Sequence, residues 1–168
     1  TDNTAVGRNA VEATTSGTGN TGIGREALAS NTTADNNTAV GYNALLVNTT
    51  GAGNTAVGAT ALDANTTGAD NVAIGINALS ANVSGNYQVA IGRNSLLNSN
   101  SPSGNVAVGY NTGQAITTGD QNVFVGYTAG DATTTGNQNT AVGYDALGSN
   151  TTASWNTAIG REALKTVS

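Results

Sequence analysis

Short apolar runs recur along the chain at a constant interval. Segments such as Thr38-Ala39-Val40-Gly41, Val72-Ala73-Ile74-Gly75 and Thr140-Ala141-Val142-Gly143 alternate over a β-rich window, which predicts a short strand in each. Between them lie polar turn segments such as Asn48-Thr49-Thr50-Gly51. The glycines Gly7, Gly24, Gly41, Gly58, Gly75, Gly92, Gly109, Gly126, Gly143 and Gly160 are each 17 residues apart, without insertion or deletion. Copies start at Asn3, Asn20, Asn37, Asn54, Asn71, Gln88, Asn105, Asn122, Asn139 and Asn156, so residues 1–168 read as one repeat array. The consensus is N-T/V-A-V/I-G-x-x-A-L-x-x-N-T-T-G-x-x.

A fixed short period gives each copy the same length of path. Helical repeats need roughly 30 residues or more, and Gly and Asn-Thr-Thr at these positions break a helical stripe. Seventeen extended residues reach at most ~56 Å, enough for a circuit of short strands and tight turns. The sequence therefore predicts an all-β chain, a parallel β-solenoid (β-roll) of ten 17-residue coils. At about 4.8 Å per coil the array rises about 48 Å. Its thin interior needs one or two apolar side chains per coil. The fourth position is Val or Ile in all ten copies and leads us to expect an interior of Val6, Ile23, Val40, Val57, Ile74, Ile91, Val108, Val125, Val142 and Ile159, joined by the leucines of the ninth position. The first-position asparagines suit a stacked amide ladder and a left-handed corner. The invariant fifth-position Gly points to a positive φ or a close backbone. Pro102, at a fifteenth position that is usually Gly, implies a differently built corner there, with Gly104 as its flexible point.

Composition fits this picture and removes much chemistry. Gly (23), Ala (27), Asn (24) and Thr (27) make up 101 of 168 residues, whereas Val, Ile, Leu and Phe total 30. A conventional globular core is excluded, and a net charge of −5 is too small for charge-driven disorder. With no His and no Cys there is no Ser-His-Asp triad, thiol nucleophile, disulfide or zinc site using those ligands. We expect no cofactor, no metal and no enzymatic activity. Five basic residues and a pI near 4.2 argue against nucleic acid. No apolar run is long enough to span a membrane as a helix, and no signal-peptide pattern is visible. There is no Met, Thr1-Asp2 fit the sixteenth and seventeenth positions, and Ser168 falls on the thirteenth, so we expect the array to continue past both ends.

With the fourth position inside, strand alternation would turn the third position out, giving an Ala/Gly strip over ten coils. A smooth apolar strip invites another surface, most simply copies of the same chain. Here the residues resemble a known family. Asn71-Val72-Ala73-Ile74-Gly75 and Val89-Ala90-Ile91-Gly92 are similar to the core motif of trimeric autotransporter adhesin heads, which are trimeric left-handed parallel β-rolls. The longer pattern Asn37-Thr38-Ala39-Val40-Gly41-Tyr42-Asn43-Ala44-Leu45, followed by Asn48-Thr49-Thr50-Gly51, resembles bacteriophage tail-fibre tracts, which often precede an endosialidase-type intramolecular chaperone. The resemblance implies a left-handed homotrimer and an extracellular place, on a virion fibre or a bacterial surface. It implies a shaft whose receptor or host-glycan contacts lie in flanking regions.

Candidate contacts concentrate at the sixth position, at Arg8, Arg25, Tyr42, Arg93, Tyr110, Tyr127, Tyr144 and Arg161. The last four would stack in consecutive coils as an aromatic row ended by a cation. They read either as a glycan or receptor stripe or, preferably, as ladder packing and protomer contact. Asp145 and Glu162 share the seventh position in adjacent coils and could sit at the spacing of a retaining glycosidase pair, although solvated charge is the simpler reading. Asn31, Asn48, Asn65, Asn82 and Asn150 open Asn-x-Thr/Ser tripeptides, acceptors only in a eukaryotic secretory setting. The leading functional expectation is a fibre shaft. Alternatives are a solenoid module that binds ice or glycan, or subunits stacked end to end. The thirteenth and fourteenth positions are rich in Thr, but adjacent strand residues face opposite sides and can form one array only in a turn. Phe124 at a third position accompanies coils whose ninth-position Leu is replaced by Gly113 and Gly130; either it turns into the vacated space, the reading we prefer, or three copies meet as an aromatic plug at a trimer axis, and in both it should be buried.

Overall fold

The computed structural model describes residues 2–166. It contains ten three-residue strands: β1 Thr4–Val6, β2 Thr21–Ile23, β3 Thr38–Val40, β4 Thr55–Val57, β5 Val72–Ile74, β6 Val89–Ile91, β7 Val106–Val108, β8 Val123–Val125, β9 Thr140–Val142 and β10 Thr157–Ile159. They form one parallel sheet in sequence order, each paired in register with the strand 17 residues on. The chain is a β-solenoid, as the period requires.

Pairing is not confined to the strands. Backbone bonds run in alternating directions around the whole circuit: Thr38 N–H donates to Asn54 O, Gly58 N–H to Val40 O, Leu45 N–H to Ala61 O and Asn36 N–H to Thr18 O. The circuit turns through left-handed residues at three places per coil. The seventh position takes φ of 51–59° (Asn9, Glu26, Asn43 and their equivalents), the ninth 45–60° (Val11, Leu28, Gly113, Leu164), and the seventeenth 55–71° (Asn36, Asp70, Tyr87, Trp155). The first-position asparagines are not among them, so the expected left-handed Asn corner lies elsewhere. Gly104 adopts φ 70° like its equivalents at the seventeenth position, and none of the fifteenth-position glycines has a positive φ. The left-handed seventeenth position is therefore kept beside Pro102, but the corner differs just before it, where Ser101 lacks, among the described residues, the backbone bond that Thr50 and Thr118 make.

The fifth-position Gly meets both expected demands. Gly7 has φ 129°, and a Cβ there would lie 2.6 Å from the Gly24 carbonyl oxygen. A side chain at this position would block coil stacking.

The strand faces are the reverse of the sequence expectation. The third-position alanines Ala39, Ala56, Ala73, Ala90, Ala107 and Ala141 are fully buried. The fourth-position residues point outward: Val6, Ile23, Ile74, Ile91 and Ile159 are exposed, and Val40, Val57, Val108, Val125 and Val142 are half-buried. The reason is the width of the coil. The ninth-position Leu, set by its left-handed backbone, fills the interior opposite the strand, as Leu45, Leu62 and Leu79 do. Only one methyl of depth is left on the strand side. At Gly22 even a Cβ would sit 2.6 Å from Val11 Cγ2 and 3.0 Å from Ala27 O. The core is thus Ala (third), Ala (eighth) and Leu (ninth).

The remaining interior is polar and hydrogen-bonded. Asn20 Oδ1 accepts from Asn37 N–H at 2.9 Å, and Asn20 Nδ2 donates across the coil to Ala34 O at 2.8 Å. The same first-position rung recurs at Asn37, Asn54 and Asn122. A second ladder at the twelfth position links Asn48, Asn65 and Asn82, each Nδ2 donating to the Oδ1 one coil back at 2.8–2.9 Å. These bonds satisfy groups that would be costly to bury unpaired.

Departures from consensus come in compensating sets. Phe124 is fully buried, and Cβ atoms on Gly113 and Gly130 would lie 3.0 and 2.6 Å from its ring. The ring occupies the space of the two absent leucines, as expected, and Ile116 closes the same volume. Gln88 replaces a first-position Asn in the coil where Ser99 replaces the twelfth. Its longer arm donates to Asn82 Oδ1 at 3.0 Å and accepts from Ser99 Oγ at 2.9 Å, restoring the missing rung.

Candidate functional site

Three outer surfaces are chemically distinct. The first is the strand face. It carries Thr or Val at the second position and Val or Ile at the fourth over all ten strands, with no charged residue in either row. Strand pairing fixes the rows at about 4.8 Å per step. The surface is uncharged and β-branched, with an apolar fourth-position row.

The second is the sixth-position row, just past that face. Tyr110 and Tyr127 stack with ring centroids 5.1 Å apart and planes at 16°, and Tyr127 and Tyr144 at 5.6 Å and 6°. The Arg161 guanidinium lies 5.5 Å from the Tyr144 centroid, and Arg25 lies 5.5 Å from Tyr42. All these side chains, and Arg8 and Arg93, are exposed. A sugar stacks on an aromatic face, but here successive rings cover one another's faces and Arg161 covers the end. What remains open is mainly ring edges and hydroxyls, with no ring or guanidinium stacked on the Arg93 side of Tyr110 or the Ala59 side of Tyr42 among the described residues. The geometry favours ladder packing and lateral contact with a protein over a glycan platform.

The third is the polar edge of the thirteenth and fourteenth positions. These residues lie in a bend, not in a strand. Both N–H groups of a pair donate to one carbonyl, as Thr49 and Thr50 do to Thr66 O at 3.0 and 3.2 Å. The fourteenth-position threonines are exposed and the thirteenth-position ones half-buried or exposed, so both rows reach the surface, as a two-row Thr array needs.

The adjacent seventh-position carboxylates Asp145 and Glu162 are each engaged by a cation. Asp145 bonds Lys165 Nζ at 2.7 Å, and Glu162 lies 3.5 Å from Arg161. Asp145 leans over the neighbouring position that Gly148 leaves open, where an added Cβ would collide with its Oδ1. Asp131 lies nearby with its Oδ1 buried and without a hydrogen-bond partner. Burial, and then repulsion from Asp145, push the Asp131 carboxyl above the ordinary carboxylate range. The Asp145 hydrogen bond raises the Lys165 ammonium. Among the described residues no group of three or more potential metal-ligating side chains is assembled, no cavity opens, and no helix is long and apolar enough to cross a membrane. The tripeptide asparagines Asn31, Asn48, Asn65, Asn82 and Asn150 are buried in the twelfth-position column, out of reach of a modifying enzyme in the folded chain.

Sequence reasoning missed the strand face as an outer surface. The signal was present in Val11–Gly22 and in Phe124–Gly113–Gly130, where third- and ninth-position changes occur together. No family model, no curated protein and no solved structure matches the chain.

Proposed function

We propose that the chain is a shaft segment of an extracellular fibre, a phage tail fibre or a bacterial surface adhesin. It assembles as a homotrimer and holds a receptor-binding tip away from its base. The observation that carries this reading is the uncharged Thr/Val and Val/Ile ladder, which runs outward along the full length of the sheet. An exposed apolar surface of this length marks an interface. Its repeat matches a second copy of itself, and closed symmetry lets three copies cover their faces around one axis. The sixth-position Tyr and Arg side chains then border the interface, where such residues anchor contacts.

The mechanism is mechanical. Axial load passes through backbone bonds repeated around every coil, and the constant period keeps the rise constant. In this reading the chain has no catalytic role and needs no cofactor, and host glycan or receptor is met by flanking regions. Light scattering tests it: a mass about three times the 16.5 kDa chain supports the trimer, and a monomer at micromolar concentration removes it. Ile74→Lys, on the outer face, should dissociate the assembly without unfolding the coil.

A further inference from the structure

We propose that the threonine edge is an ice-binding surface, independent of the strand face used for self-association. The strand face and the edge are separate stretches of the 17-residue circuit, nine positions apart one way round (Val57 to Thr66) and five the other (Thr67 to Val72), and in this reading the trimer is built on the strands alone. In six coils the thirteenth and fourteenth positions are both Thr, in two blocks: Thr32-Thr33, Thr49-Thr50 and Thr66-Thr67, then Thr117-Thr118, Thr134-Thr135 and Thr151-Thr152.

Three observations favour ice over a general hydrated surface. The first is order. The hydroxyls of Thr32, Thr49, Thr66, Thr117 and Thr134 each donate to the thirteenth-position carbonyl of the next coil at 2.9–3.2 Å. One side-chain orientation is therefore repeated down the row and held before any ligand arrives, which lowers the ordering cost of binding. The second is available chemistry. Among the described residues, no side-chain hydrogen bond involves the fourteenth-position threonines, and Thr33, Thr50, Thr67, Thr118, Thr135 and Thr152 are exposed. Each offers a methyl group and a free hydroxyl.

The third is spacing and charge. Backbone pairing sets the row at about 4.8 Å per coil, close to the oxygen repeat along the a axis of hexagonal ice. Neither position carries a charged residue in any copy, and the eleventh position beside them is limited to Ala, Ser, Val, Asn or Thr. A soluble polymer with its own charges gains nothing from such an edge. A water lattice of matching repeat gains a contact at each of the six Thr-Thr coils.

The test uses the full chain. Purified protein is partitioned between a slowly growing ice hemisphere and liquid, and crystal shape and thermal hysteresis are recorded in parallel. The expected result is enrichment in the ice fraction and faceted crystals. Thr50→Lys with Thr67→Lys, and separately Thr118→Lys with Thr135→Lys, should weaken both effects, and the four changes together should abolish them, with melting unchanged because these side chains are exposed. Ile74→Lys on the strand face should keep ice binding even as it dissociates the trimer, so the two readings fail separately. Exclusion of the wild-type chain from ice like an inert protein would overturn the proposal. So would retention by the folded quadruple variant, or loss in Ile74→Lys alone.

Discussion

Phe124 and Gly130 should show reversed epistasis. Phe124 is fully buried, and its ring occupies the volume that a ninth-position Leu fills in other coils. Phe124→Ala leaves that volume empty, at a cost of about 3–5 kcal/mol. Gly130→Leu fails for the opposite reason: its Cβ would sit 2.6–2.7 Å from three ring carbons of Phe124. Relief requires moving a packed ring, an overpacking cost of about 1–3 kcal/mol. The backbone itself accepts Leu. Gly130 has φ 60°, while Leu45, Leu79 and Leu147 hold 50–54° at equivalent positions. The double variant recreates the Ala/Leu pair of Ala56 with Leu62 and Ala73 with Leu79. Independent effects would sum to about 4–8 kcal/mol. We expect the double variant to be more stable than Phe124→Ala alone, with the remaining deficit at Gly113, whose Cβ position also borders the ring. Urea melts of the four proteins in a double-mutant cycle give the coupling. Additivity within about 0.5 kcal/mol would refute the shared volume and the inward third position.

Four further outcomes follow from the same geometry. Asn54→Ala removes the acceptor for Asn71 N–H (3.0 Å) and one donor to Gly68 O (2.8 Å), and should cost about 1–3 kcal/mol in urea denaturation. Gln88→Asn should destabilise by a similar amount, since it abandons Asn82 and Ser99, and adding Ser99→Asn should recover it by rebuilding the consensus rungs, read by melting temperature. Asp131→Asn should raise the neutral-pH melting temperature. Its carboxyl is raised in the folded chain, so folding favours the protonated form; its contribution is most favourable below the ordinary carboxylate pKa and is lost as pH rises through the folded value, and the variant should lack that part of the pH profile. Ile74→Lys should lower the mass seen by light scattering while leaving the β-sheet circular dichroism unchanged.

The architecture was legible because it rests on period. An invariant 17-residue spacing and a Gly in every copy fix the coil length, the in-register pairing and the close approach at Gly7 and its equivalents. The face assignment was not, because hydrophobicity alone ranks Val above Ala for an interior. What decides is depth, and depth depends on the left-handed ninth position, whose Leu residues carry no turn signature in their chemistry. Paired departures hold that information. Gly22 replaces Ala one coil after Val11 replaces Leu, and Phe124 accompanies two glycines. These changes make sense only if the third and ninth positions share one volume. Likewise, the threonine array depended on whether two neighbours lie in a bend, which an Asn-Thr-Thr-Gly segment suggests without specifying which residues face out.

Ten copies are ten samples of one environment, and their variation separates the demands of the fold from those of its surroundings. The tenth position, outside the core and mostly half-buried, runs through Glu12, Ala29, Leu46, Asp63, Ser80, Leu97, Gln114, Asp131, Gly148 and Lys165, as a site without a packed neighbour in common can. The fourth position also points outward, yet it holds only Val or Ile. Strand propensity does not account for this, because Thr is as good a strand former and fills the neighbouring second position in six copies. The interior does not account for it either, since these side chains lie on the opposite side from Ala and Leu. We attribute the restriction to the self-association proposed above, a contact from outside that would repeat at every coil. A small ligand would restrict one or two coils and leave the others free to vary. A second copy of the chain, in register along the same axis, would restrict all ten.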